Sequence, residues 1–478
     1  MAIRASCQAA LLAAALGLAG CGDDAAGPIR VSAIGAPPAI ANPNLQPLDA
    51  PSAFLTEAAA QGLVHFDAAG EIEPALAQSW VVSNDGLRYT FRIRPAQWAG
   101  GAPVTAQQVA LRLRATLSRA SRNPLKPVLG AVAAITPMTD RVLEISLHGA
   151  RPNFLQLLAQ PEMAILQGNV GTGPYRVADS NLGEVRLALP RGEDEEIARE
   201  SPDVELRGEG GAMAVARFAE GRADLVLGGT GGDLAFARAA NLAASRLVFD
   251  PVNGLFGLAF TSTLGDPATR RALAMAIDRD ALAAAIGAPR LAGRAAIVPA
   301  GILDLPAPAQ PDWAALPIDA RRSRAAQSLA ELPAPLRLRV AMPSGPGYRL
   351  VFAHLRRDWR MIGVEAEAVA PGAPADLILI DQVAPANLAS WYLRHFACDA
   401  SAICDPAADQ ALLAARAAPN PAERQAHFAE ADRILTELAP FIALTAPVRW
   451  SLVSPRLTGF RPNPFARHQV TTLIAERE

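Results

Sequence analysis

Residues 87–94 alternate in polarity, with Leu87, Tyr89, Phe91 and Ile93 on one face and Arg88, Thr90, Arg92 and Arg94 on the other. That period of two is the signature of a half-buried strand. Asn84-Asp85-Gly86 precedes it as a turn signal, so Trp80-Val81-Val82 and this strand are expected to form a hairpin. Leu143, Ile145 and Leu147, alternating with Glu144, Ser146 and His148, give another strand. At Thr105 the period changes: Val109, Leu113 and Leu117 recur every four residues, and Thr105 with Gln108 makes a capping box for a helix ending at Leu117. Asp266-Pro267 opens a second helix on the stripe Leu273, Ile277, Leu282 and Ile286, which Gly287 terminates. Asn420-Pro421, with Glu423 in the capping-box position, opens a third on Phe428, Ala431, Leu435 and Leu438, ahead of Pro440. Residues 299–346 are loaded with proline and are expected to run over the surface until a strand near Leu336 to Ala341. The pattern as a whole predicts a mixed α/β protein with antiparallel pairs and no internal repeat.

Composition adds a compartment. Arg4, an apolar run from Ala9 to Leu18 and small residues at Leu18-Ala19-Gly20-Cys21 describe a secretory signal. The run is shorter than the roughly 20 residues a helix needs to cross a bilayer. Leu-Ala-Gly-Cys resembles the bacterial lipobox, which implies that residues 1–20 are removed and that Cys21 is the lipid attachment site, with 21–27 as a tether. The mature chain is too long for one ordinary core and is expected to form two or three domains. Its composition, 51% hydrophobic and 19% charged, is that of a globular body, so the anchor is the only membrane element expected.

Net charge is −2 and the charges are interspersed, which argues against a nucleic-acid surface. Lys126, the single lysine, lies between Leu125 and Pro127, so the chain lacks the Gly-Lys-Ser/Thr of a Walker A loop and is not itself a transport ATPase. The glycine run Gly228 to Gly232 has no lysine either. Signatures of serine hydrolases, zinc proteases and cysteine nucleophiles are absent, so no catalytic residue and no cofactor is assigned; an exported hydrolase is the less favoured reading. Cys398 and Cys404 would survive processing into an oxidising space and are expected to pair, closing a loop short enough that the link contributes about 2 kcal/mol. A metal site using His395 with these cysteines matches no familiar zinc spacing, and no metal ligand is assigned.

Several spaced stretches share one likeness. Glu71 to Trp80, Ser83 to Phe91 and Trp98 to Thr105 resemble family 5 of the extracellular solute-binding proteins, the oligopeptide- and dipeptide-binding type. The resemblance continues through Gly171-Thr172-Gly173-Pro174-Tyr175, Phe218 to Asp224, Arg271 to Arg279 and the helix from Ala422 to Pro440. It implies a two-lobed periplasmic binding protein (type II, cluster C like), with a discontinuous lobe I and an inserted α+β subdomain. On this chain lobe I would comprise 28–50, 170–255 and 440–478, the insertion 51–169, and lobe II 256–439. It further implies a monomer at the periplasmic face of the envelope that captures a peptide and delivers it to ABC permease and ATPase subunits. A nickel chelate, haem, an opine or a short sugar would suit the same scaffold. In the peptide type, an aspartate in a tryptophan-rich stretch of lobe II meets the ligand's amino group. The corresponding stretch here runs from Trp391 to Asp399, which nominates Asp399 for the ammonium, Trp391 as an aromatic wall and Arg394 as a carboxylate clamp. Asp399 reads equally well as a solvated loop residue.

Overall fold

The structure is a computed structural model and describes residues 27–151, 153–181, 183–190, 202–261, 264–332 and 334–474. Cys21 and the export signal lie outside the described residues.

The alternating segments fold as their polarity requires. Ala77–Val82 and Arg88–Ile93 pair antiparallel, Val82 opposite Tyr89, across a turn in which Gly86 takes a φ of +69°. Val142–Leu147 and Val132–Thr139 complete a four-stranded sheet. Its inner face carries Tyr89, Phe91, Ile93, Leu143 and Ile145, all almost fully buried. The helix Ala106–Leu117 covers that face, and both reciprocal hydrogen bonds of the Thr105 to Gln108 capping box are present.

Two larger sheets form the lobes. The seven-stranded sheet of lobe I runs in the order Leu247–Phe249, Arg449–Val453, Leu225–Thr230, Ile29–Ile34, Val204–Glu209, Glu184–Ala188, Arg176–Asn181, with parallel pairing only around the central strand Ile29–Ile34. The five-stranded sheet of lobe II runs Glu365–Val369, Arg337–Ala341, Leu377–Val383, Gly254–Phe260, Phe441–Thr445. Residues 250–253 and 446–448 carry the chain between the two sheets, and Asp250 N donates to Arg449 O at 3.1 Å to tie the two crossings together.

Two elements fall outside the expected domain limits. Helix Ala50–Ala59 belongs to lobe I, not to the insertion, because Phe54, Leu55 and Ala58 bury themselves against Val31, Leu206 and Leu225. Strand Phe441–Thr445 belongs to lobe II, because it pairs with Gly254–Phe260. The Gly171 to Tyr175 motif explains where the insertion ends. Gly173 N and Tyr175 N donate to Ala59 O and Ala58 O, and a Cβ on Gly171 would sit 2.2 Å from that of Ala60. Only glycine lets this segment lie against the end of the helix.

Two helices also differ from the sequence reading. The stripe from Leu273 to Ile286 is buried as expected, but on two helices, Pro267–Ala276 and Arg279–Ile286. Ile277 is extended, and Asp278 caps a new start by accepting from Ala281 N at 3.0 Å. Within the proline-rich 299–346, helix Ile318–Leu329 forms with Ala325 as its one buried residue, so no apolar stripe marks it in the sequence. The insertion does not stand apart. One continuous core passes from Tyr89 and Phe91 through Phe154 to Tyr392, Leu412 and Phe428 on the helices of lobe II.

Candidate ligand-binding site

A cleft of about 460 Å³ lies where the three parts meet. The C-terminal ends of lobe I strands bring Ile34 and Gly228 to Thr230, the end of Leu377–Val383 brings Gln382, and the connection after it brings Ala384 and Pro385. The insertion supplies Leu125, Gln160 and Glu162, and the C-terminal segment supplies Phe465 to His468. Strand ends at a crossing between sheets are where open α/β architectures accept ligands.

Charges in and beside the cleft are largely paired. Arg449 of lobe I donates to Asp381 of lobe II at 2.7 Å, and Tyr348 donates to the other Asp381 oxygen at 2.7 Å. Arg467 donates to Glu162 Oε1 at 3.1 Å and to Gln160 Oε1 at 3.2 Å. His468 stands 3.2 Å from Asp250 Oδ2. One acceptor is left over: Glu162 Oε2 is buried and has no hydrogen-bond partner. Behind it lies Glu57, whose carboxyl is pushed up to about 8 by burial, with the charge of Glu162 adding to the effect and Arg467 opposing it.

Trp391 and Trp450 give the cleft flat apolar walls. Trp391 is held from behind by His395, whose Nδ1 lies 2.7 Å from Trp391 O and whose Nε2 lies 3.0 Å from the side-chain amide of Gln382. Burial pushes the His395 imidazole below its usual range, so at neutral pH the ring is uncharged and donates through Nδ1 to the carbonyl. His395 therefore positions two lining residues. The described residues hold no group of three or more His, Cys, Asp or Glu side chains arranged to bind a metal ion.

The residues nominated by sequence separate in space. Trp391 lines the cleft. Asp399 does not: its side chain is 72% exposed and its partner is Arg394, 3.3 Å away. Arg394 faces a different, smaller cavity. Cys398 and Cys404 are joined, with S–S 2.11 Å, which keeps both sulfurs from acting as metal ligands and leaves Asp399 on an outward loop. Asp399 and Arg394 lie away from this cleft for a physical reason: helix Ala389–Arg394 turns Trp391 inward, and the residues after it run outward to the linked loop. Sequence reasoning missed Glu162, Asp381, Gln382, Arg449 and Arg467. The strand Leu377–Val383 is visible as an apolar run, Leu377 to Ile380, followed by the polar pair Asp381-Gln382. Gln160-Pro161-Glu162 carries no periodic signal at all.

Comparison with known proteins fits this architecture. OppA of Haemophilus influenzae, solved with the peptide RPPGFSPFR, superposes with a TM-score of 0.82 at 17% identity, covering 94% of this chain and 99% of that one. The Escherichia coli murein tripeptide binding protein MppA superposes at 0.80 with 20% identity, covering 94% and 98%, whereas its unliganded open form reaches 0.66. In sequence, the nickel-binding periplasmic protein of Escherichia coli K12 is 29% identical over 138 residues, 26% of each chain. The curated relatives align over only about a quarter of their own length. No described helix is long and apolar enough to cross a membrane. The family model described as bacterial extracellular solute-binding proteins, family 5 Middle, matches residues 71–373, and with that span the chain belongs to family 5 of the bacterial extracellular solute-binding proteins, a family of binding proteins and not of enzymes.

Proposed function

We propose that this protein captures a short peptide between its lobes and delivers it to the permease of an ABC importer. The observation that carries the reading is Glu162 Oε2, a buried carboxylate oxygen without a partner in a cleft whose other charges are matched. A peptide's ammonium supplies the missing donor, and a charge-assisted hydrogen bond of that kind contributes about 1.5–3 kcal/mol. Trp391 and Trp450 cover the ligand's apolar surface, and Gln382 and Thr230 offer polar groups to its amides. The peptide in the Haemophilus influenzae complex supports the same class of solute.

Calorimetric titration of ligand-free protein with short peptides tests this. Free-amino peptides are expected to bind at least about tenfold more tightly than their N-acetylated forms, and Glu162→Gln should remove the difference. Equal affinity for both forms would remove the ammonium from the account. The nickel-binding relative favours a second reading, a nickel chelate, for which Ni²⁺ with free histidine is the competing titrant. The protein acts at the periplasmic face as a monomer held by lipid on Cys21. Cys21→Ser should move it from the membrane to the soluble fraction, and unchanged fractionation would contradict the anchor.

A further inference from the structure

Arg394, which the cleft does not use, lines a second cavity at the seam between the insertion and the helices of lobe II. With it are Arg151 from the insertion, Arg416 from helix Pro406–Ala417, and Ser390. The cavity holds about 20 Å³, room for one water-sized sphere.

The donors around it exceed the acceptors. Arg394 Nε is buried and has no hydrogen-bond partner. The guanidinium of Arg416 donates to no described group, and packs over Gly130, where a Cβ would come within 2.9 Å of Nη1. Arg151 reaches only two backbone carbonyls, those of Ala150 and Arg416, at 3.0 and 3.3 Å. Arg424 adds a fourth guanidinium, donating to Ala150 O at 3.0 Å. Against these stand two carboxylates: Asp399, mostly in solvent, and Asp304, which already accepts from Ala389 N at 3.0 Å. Arginine does not give up its proton in proteins, so the excess charge persists at any ordinary pH. Burial, with Arg424 and Arg416 nearby and Asp304 opposing them, pushes the Arg151 guanidinium down to about 10. A buried charge without a counter-charge costs several kcal/mol.

We propose that the cavity is a halide site, in which one chloride held by Arg151, Arg394, Arg416 and the Ser390 hydroxyl joins the insertion to lobe II. A monatomic anion fits the volume, whereas a tetrahedral oxyanion does not. Water would satisfy donors but leave the charge uncompensated. This site is separate from the solute cleft and stands whether or not the solute is a peptide.

Two readouts on the full-length protein test it. Crystals grown with bromide replacing chloride should show one anomalous peak among Arg151, Arg394 and Arg416. In solution, Tm should rise by about 1–3 °C as sodium chloride replaces sodium gluconate at constant ionic strength, and Arg416→Gln should abolish that dependence. An ordered water without anomalous signal overturns the proposal. So does a bromide peak, an adventitious ion only, in a protein whose Tm is the same in chloride and gluconate. The bromide measurement needs no variant, so a poorly folding Arg416→Gln protein leaves the test intact.

Discussion

Glu162 and Asp399 mark what residue-level sequence reading can and cannot reach. Asp399 is conspicuous because it closes a stretch, begun by Trp391 and His395, that has the family's look, yet the fold turns it to solvent. Glu162 sits in Gln160-Pro161-Glu162, with no motif around it, and comes to line the cleft with one unpartnered oxygen only because three separate segments converge there. The Asp399→Ala protein is accordingly expected to bind within about twofold of wild type in the titration that Glu162→Gln should impair, since an exposed pair contributes about 0–1 kcal/mol. Glu57 gives a pH signature. Its folded pKa, about 8, lies above the ordinary 4.5, so the folded state holds the proton more tightly than the unfolded chain. That contribution to stability is fully present below about pH 4.5, falls as pH rises to about 8, and is gone beyond it. Glu57→Gln cannot ionise, so its Tm relative to wild type should rise between about pH 5 and pH 8, as read by calorimetry. A constant difference would contradict the buried, protonated carboxyl.

At the scale of elements, the hairpin at residues 77–93, the capped helix Ala106–Leu117 and the helix Pro421–Leu438 are legible because local signals and tertiary burial agree. Asn420 does cap the last of these, accepting from Glu423 N at 2.9 Å. Less legible are elements without a local apolar period: helix Ile318–Leu329, and the break at Asp278, where a capping side chain overrides a continuous stripe. The glycine run that carries no phosphate-loop lysine makes a close backbone contact with lobe II. Gly347 N, at the start of helix Pro346–Arg360 in lobe II, donates to Gly232 O of lobe I at 2.9 Å. A Cβ on Gly347 would lie 1.9 Å from Gly231 O, a backbone atom that cannot swing aside. Gly347→Ala should therefore hold the lobes apart. Solute affinity should fall at least about tenfold, and small-angle scattering should show no compaction on adding ligand. Normal closure in that variant would mean that this contact does not gate the approach of the lobes.

The described molecule has two large sheets joined by two short crossings, a four-stranded sheet sharing a core with lobe II, and a small two-stranded sheet of Val64–Phe66 and Ile72–Pro74. Arg449–Asp381, Tyr348–Thr230 and Gly347–Gly232 are hydrogen bonds that run from one lobe to the other at the cleft, and hinged binding proteins enclose a ligand by bringing their lobes together in this way. Order along the chain, the lobe architecture and the inserted subdomain are readable from spaced motifs. The limits of the domains are not, because Ala50–Ala59 and Phe441–Thr445 are assigned by what they pack and pair with, not by their own composition. Native mass spectrometry of the protein purified from its host's envelope tests the central claim most directly. The account expects one small solute per chain, resolved as a set of short peptides and released unchanged on unfolding. A metal complex or sugar in their place would contradict the peptide, and a chain that never carries a solute would contradict capture itself.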